Sequence, residues 1–296
     1  MKPSQLHLAS IFFALVFAMP VLGLARAAEK AEAQARNVTI EWDDWGVPHI
    51  DGEDPASVAY AYGWAQMKSH ANVLVQRFGA SRGRAAEYWG EKYLEDDIYL
   101  RTMGIPEQAR LLEKKQSKRA KEIVSSFVRG MNDYLEAHPD VLDEENRQVL
   151  PLQSTDVLAH LRSVLYLTFV AGRDQVMSKI KGAETTSAGS NAWAIAPERS
   201  ASGNAMLLAN PHLPWAGDYL FYEAQLTTNG KSAYGVSLLG WPFLAIAFNE
   251  HLGWTHTVNT YDGTDLYKLT LNESGEYKFG DDFKRFKTRH ETIKVL

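Results

Sequence analysis

Apolar residues recur at three- and four-residue spacing over Ile123, Val124, Phe127, Val128, Met131, Tyr134 and Leu135, and His138-Pro139 ends the run. That period predicts a core-facing amphipathic helix. Asp54-Pro55 supplies an N-cap followed by proline at the first helical position, so a second helix is expected from there through Ala59, Gly63 and Ala65 towards Phe78. Its small residues suit close packing against a neighbour. A third helix is expected to start near Ser154 and to carry Val157, Leu158, Leu161, Val164, Leu165 and Leu167. Ahead of these helices, Val38-Thr39-Ile40-Glu41-Trp42 alternates apolar and polar positions. Asp43-Asp44-Trp45-Gly46 then gives a turn before Val47-Pro48-His49-Ile50, which predicts strand, turn, strand.

From Asn191 the texture changes to short β-like runs at residues 205–209, 220–227, 233–238, 243–248, 252–258 and 265–271, with a turn at Asn229-Gly230. Strands following helices predict an α+β fold with an antiparallel sheet whose first strand starts at Ser190. Residues 287–296 read as a strand cut off in progress, so the natural product is expected to continue beyond Leu296. No internal repeat is visible.

With 296 residues, 45 % hydrophobic and 23 % charged, the chain has room for one large or two medium domains. A net charge of -5 and no basic cluster with interleaved aromatics exclude nucleic acid as a partner. Residues 1–27 read as a secretory signal: Lys2, then the apolar run 11–19, then Ala25-Arg26-Ala27 as the cleavage motif. Pro20 interrupts that run short of the roughly 20 residues a membrane span requires, so no stable membrane anchor is expected. With 0 cysteines there is neither a lipidation thiol nor a disulfide framework. An exported protein, periplasmic or secreted, is expected.

The chemistry centres on Gly189-Ser190-Asn191-Ala192-Trp193, which reads as a self-cleavage site whose serine becomes a new N-terminus. An α-amino group with a pKa of roughly 7.7–8 is partly neutral at physiological pH and lies beside the hydroxyl it must deprotonate. Gly-Ser alone reads more readily as part of a polar linker. Its setting favours the reactive reading, since residues 179–188 are small and polar and β-type segments follow at once. Neither a G-x-S-x-G elbow nor an H-E-x-x-H zinc motif is present around the candidate residues.

Trp45-Gly46-Val47-Pro48-His49-Ile50, Tyr62-Gly63-Trp64-Ala65-Gln66, Gly189-Ser190-Asn191-Ala192-Trp193, Asn210-Pro211-His212-Leu213-Pro214-Trp215, Phe248-Asn249-Glu250-His251 and Gly253-Trp254-Thr255-His256-Thr257-Val258-Asn259 resemble, in this order and spacing, the penicillin acylase family of N-terminal-nucleophile hydrolases, particularly its acyl-homoserine-lactone and aculeacin acylase-like members. The resemblance covers nearly all of the expected exported chain. It implies an αββα sandwich, here partial, and an α/β heterodimer made when a precursor cuts itself between Gly189 and Ser190. The chain then divides into a signal peptide at 1–27, a helical α-chain region at 28–171, a connector at 172–189, and the start of a β-chain from 190 to 296.

The resemblance also implies amide hydrolysis through an acyl-Ser190 intermediate, with the serine's own amine relaying the proton and no cofactor needed for the chemistry. Val258 matches the family's backbone oxyanion donor. The second donor, an asparagine side chain, lies beyond Leu296. His212 matches a histidine that orients the serine amine, with a packing role as the alternative. Asp262, Thr264 and Asp265 match a structural Ca²⁺ site, and a plain Asp-Gly turn is the equal alternative. Leu213, Trp215, Phe243 and Ile246 are expected to wall a pocket for the aliphatic or aromatic acyl group of a small N-acyl amide. Acyl-homoserine lactones are favoured over penicillin-type or lipopeptide amides. An inactive periplasmic binding or scaffold protein is the alternative function.

Overall fold

The computed structural model describes residues 37–181, 189–258 and 265–296. The expected signal peptide, most of the connector's second half, and Asp262 and Thr264 lie outside these residues. The chain opens with a hairpin of β1 (Val38–Trp42) and β2 (Pro48–Gly52). Asp43 Oδ1 shapes the turn by accepting from the Trp45 and Val47 amides, 2.9 Å each.

The longest helix, α1 (Pro55–Ser81), begins as its cap residues dictate. The Asp54 carboxylate accepts from the Ala56 and Ser57 amides at 2.7 and 3.0 Å, satisfying donors the first turn would otherwise leave open. A kink at His70 interrupts the helix. Short α2 (Ala85–Trp89), α3 (Leu94–Thr102) and α4 (Ile105–Lys115) follow, then the amphipathic α5 (Lys118–Ala137), the single-turn α6 (Glu144–Arg147) and α7 (Ser154–Ser163). A π turn (Val164–Thr168) extends α7. Part of the expected connector is helical, as α8 (Arg173–Ile180).

Helices α1 and α5 cross where each carries a glycine. A Cβ at Gly63 would lie 2.9 Å from the Phe127 carbonyl carbon, and one at Gly130 would lie 2.8 Å from that of Tyr60. Neither contact leaves room for a methyl group, so the two backbones meet directly. Around the crossing, Tyr62, Met67, Leu74, Phe78, Phe127 and Met131 are fully buried. Burying such large side chains contributes roughly 1.5–3 kcal/mol each.

The second half supplies β3 (Ser190–Ile195), β4 (Met206–Pro211), β5 (Phe221–Thr228), β6 (Lys231–Leu238), β7 (Ile246–Phe248) and β8 (Gly253–Trp254). The main sheet runs β1-β2-β5-β6-β7-β8. It is mixed rather than wholly antiparallel, because β2 pairs β5 in parallel after the helical layer has carried the chain back. The β5-β6 hairpin turns on Asn229 and Gly230, both left-handed at φ 50 and 71. Strand β3 starts at Ser190 as expected but pairs with β4 in a separate two-stranded sheet. The helical layer packs on the main sheet through Tyr62, whose ring lies 5.8 Å from Tyr222 and whose hydroxyl meets Ser237 Oγ at 2.6 Å. The α+β class therefore holds.

Residues 265–271 and 287–296 are not strands. Leu271 makes one isolated bridge to Tyr277 beside a small hairpin of β9 (Tyr277–Phe279) and β10 (Asp282–Lys284). The last residues instead lie against the helices. Thr292 O accepts from Arg101 Nη1 at 3.1 Å, and the Leu296 amide donates to Ala86 O at 3.0 Å. Their alternation meets no strand partner among the described residues.

Candidate active site

The β3-β4 register sets Ser190 opposite Pro211 and Asn191 opposite Asn210. One step beyond, the His212 amide donates to Gly189 O at 3.3 Å, so the carbonyl just before Ser190 has a hydrogen-bond donor. The Asn191 side-chain amide donates to His212 Nε2 at 3.1 Å. The imidazole is thereby held beside the Gly189-Ser190 junction, although it is exposed and stays out of the neighbouring cavity.

That cavity, of about 600 Å³, has the half-buried Ser190 in its lining. Four further residues expected from the sequence line it: Leu213, Phe243, Ile246 and Val258. Val258 lies beyond the end of the two-residue strand β8, so only the first part of the expected 252–258 strand forms. Trp215 does not join the wall and is 96 % exposed. Further along the same loop Asp218 pairs with Arg77 of α1 at 3.1 Å.

Leu165, Phe169, Trp241 and His256 also line the cavity, and sequence reasoning missed them as site residues. Leu165 stands in a helical apolar run that suggests only core packing. The π turn shifts the phase after Ser163, and nothing in the spacing announces it. Trp241 had a visible signal, because an aromatic directly after Gly240 follows the end of β6.

The expected cation site rests partly on Asp262 and Thr264, outside the described residues. Asp265 is exposed, and among the described residues no group of three or more His, Cys, Asp or Glu side chains is arranged to hold a metal. Among the described residues, no helix is long and apolar enough to cross a membrane.

Ser190 thus stands at the head of β3 and on the lining of an apolar cavity. The penicillin amidase family model matches residues 37–296, and the chain belongs to that family. It is 28 % identical over 95 % of its length to the acyl-homoserine lactone acylase PvdQ of Pseudomonas putida, covering 40 % of that protein. It is 25 % identical over 81 % of its length to the acyl-homoserine lactone acylase QuiP of Pseudomonas aeruginosa, covering 35 % of it. The chain thus spans about two fifths of the length of the curated relatives it matches. A penicillin G acylase structure from Alcaligenes faecalis aligns with 48 % of the chain at 21 % identity and a TM-score of 0.42.

Proposed function

We propose that the chain carries the nucleophile of an exported, self-activating amidohydrolase, with Ser190 as that nucleophile. The carrying observation is the position of Ser190, half-buried on the lining of the apolar cavity, with the preceding carbonyl bound to the His212 amide. In self-cleavage, Ser190 Oγ attacks the Gly189 carbonyl carbon, the C–N bond breaks, and the departing nitrogen takes the hydroxyl proton. Water then hydrolyses the resulting ester, leaving a Gly189 carboxylate and a free Ser190 amine. The His212 N–H is placed to stabilise the oxyanion that forms on Gly189 O.

The same hydroxyl then attacks a substrate amide. Its proton passes through the freed α-amine to the leaving amine, and water releases the acid from the acyl-serine. In this reading the Val258 N–H donates to the acyl oxyanion, where loss of one donor costs about 10²–10³ in rate. In the same reading His212, held by the Asn191 side chain, orients the amine. The product is an α/β heterodimer in the periplasm or outside the cell, and a structural Ca²⁺ at Asp262, Thr264 and Asp265 is part of the same proposal.

The walls favour a hydrocarbon acyl group, since Leu165, Phe169, Leu213, Phe243 and Ile246 offer it no charge. Together with the names of the curated relatives, this supports N-acyl-homoserine lactones as substrates, and hence quorum quenching. The test is intact mass and N-terminal sequencing of the full-length protein beside Ser190→Ala. A fragment starting at Ser190 in the parent alone supports the proposal. An uncut chain in both overturns self-cleavage and favours an inactive binding or scaffold protein.

A further inference from the structure

The Tyr62-Gly63-Trp64-Ala65-Gln66 motif lies on α1, away from Ser190, yet Gln66 is fully buried and reaches the cavity wall through the backbone. Its Oε1 accepts from the Gly240 amide at 2.8 Å, and its Nε2 donates to Trp241 O at 3.1 Å. From α7, the buried His160 donates through Nε2 to Leu239 O at 2.9 Å, which fixes the ring's tautomer. Backbone polar groups of three consecutive residues, Leu239, Gly240 and Trp241, are thus held by two side chains from two helices.

The fit is close. Gly240 has φ 89, and a Cβ there would lie 2.9 Å from His160 Cδ2 and 3.2 Å from the Phe78 ring. Trp241, Phe243 and Ile246, directly after the clamped turn, form one wall of the cavity. Leu165, in the π turn that extends α7, the helix bearing His160, and Phe169, directly after that turn, line the same cavity. The His160-to-Leu239 bond therefore ties one wall to the element carrying the other.

We propose that Gln66 and His160 are positioning residues that set acyl-chain selectivity by fixing the spacing of these two walls. The proposal rests on the acylase reading above. An apolar pocket discriminates by how much of the chain it buries, and one methylene is worth roughly 10–200-fold in selectivity. A wall released from its tether accepts a wider range of chains.

The test uses full-length protein with Gln66→Met, which removes both bonds at similar length, and Gln66→Glu, which keeps only an acceptor for Gly240. In the parent and both variants, kcat/KM is measured on N-acyl-homoserine lactones from butanoyl to dodecanoyl. The expected result is a change of about tenfold or more in the long-to-short ratio for Gln66→Met, carried by KM rather than kcat, with a smaller change for Gln66→Glu. Ratios within about twofold of the parent in both variants overturn the proposal.

Two further measurements separate its failure from that of the acylase reading. Appearance of the Ser190 N-terminus reports the latter. Binding of cis-parinaric acid to the uncut Ser190→Ala protein reports the cavity without catalysis, and unchanged affinity on adding Gln66→Met counts against the clamp. Hydrogen exchange in that uncut protein needs no Gln66 variant to fold. The Gly240 amide is expected to exchange far more slowly than the exposed residues 250–252, and equal rates overturn the clamp.

Discussion

Replacing Gly130 with alanine adds one methyl group at the point where α1 and α5 touch. The new Cβ would lie 2.8 Å from the Tyr60 carbonyl carbon and 3.1 Å from the Trp64 amide nitrogen. Carbon atoms rest at about 3.5–4.0 Å, and the Tyr60 carbonyl oxygen lies closer still, so the helices must part by at least about 0.7–1.2 Å. The opposing atoms are backbone, and no rotamer change relieves them. Overpacking a core costs about 1–3 kcal/mol when side chains can yield, and more is expected where they cannot. Alanine returns up to about 1 kcal/mol of helix propensity. The net expectation is a loss of about 2–3 kcal/mol, which at about 2–4 °C per kcal/mol lowers Tm by roughly 4–12 °C. Ser125→Ala, on the exposed face of the same helix, is the matched control. Thermal and urea unfolding of full-length protein measure both variants. Gly130→Ala as stable as the parent would refute the direct backbone contact.

Two further outcomes follow from buried charge. Arg82 donates through Nε and Nη2 to both oxygens of the buried Asp156, at 2.8 and 2.6 Å, and also reaches Val149 O and Pro151 O. Arg82→Met strands that carboxylate and is expected to cost about 3–5 kcal/mol, while adding Asp156→Leu recovers part of the loss. A double variant no more stable than the single one would sink this account. His160 has its pKa pushed below 6.5 by burial, with Arg77 adding to the shift and Asp218 and the Leu239 carbonyl opposing it. A depressed folded pKa means the stabilisation is complete above pH 6.5 and is lost as pH falls from there through the folded value. Stability should fall below pH 6.5 by up to about 1.4 kcal/mol per pH unit from this group, and less steeply in His160→Gln. Parallel pH profiles of the two proteins from pH 8 to 5 would exclude the role.

What the sequence made legible was local. Asp54-Pro55 starts α1 because the cap chemistry is complete within four residues, and Asn229-Gly230 turns the β5-β6 hairpin because both residues tolerate positive φ. The α5 pattern needs no partner to be read. Helices α3 and α4 went unread, although Gly104-Ile105-Pro106 with Ala109 carried a start signal and a buried pair at helical spacing. The parallel β2-β5 pairing had no local signature, since it depends on where the helical layer returns the chain. The site divides in the same way. Ser190, Leu213, Phe243, Ile246 and Val258 share one cavity, whereas the exposure of Trp215 and the approach of Phe169, just after a π turn, had no signature in the local spacing.

The two glycines, Tyr62 and Gln66 lie along a single connection. Gly63 and Gly130 set how close α1 sits to α5, Tyr62 joins α1 to β6, and Gln66 joins it to the turn that follows. Displacing α1 by about 1 Å at the glycine crossing would strain hydrogen bonds of 2.6–3.1 Å at both tethers. Gly130→Ala should therefore lower stability and also broaden acyl selectivity, whereas Gln66→Met should broaden selectivity with a smaller loss of stability. If Gly130→Ala loses stability but keeps the parent's selectivity, the wall is held by His160 and α7 alone, and α1 only supports the sheet.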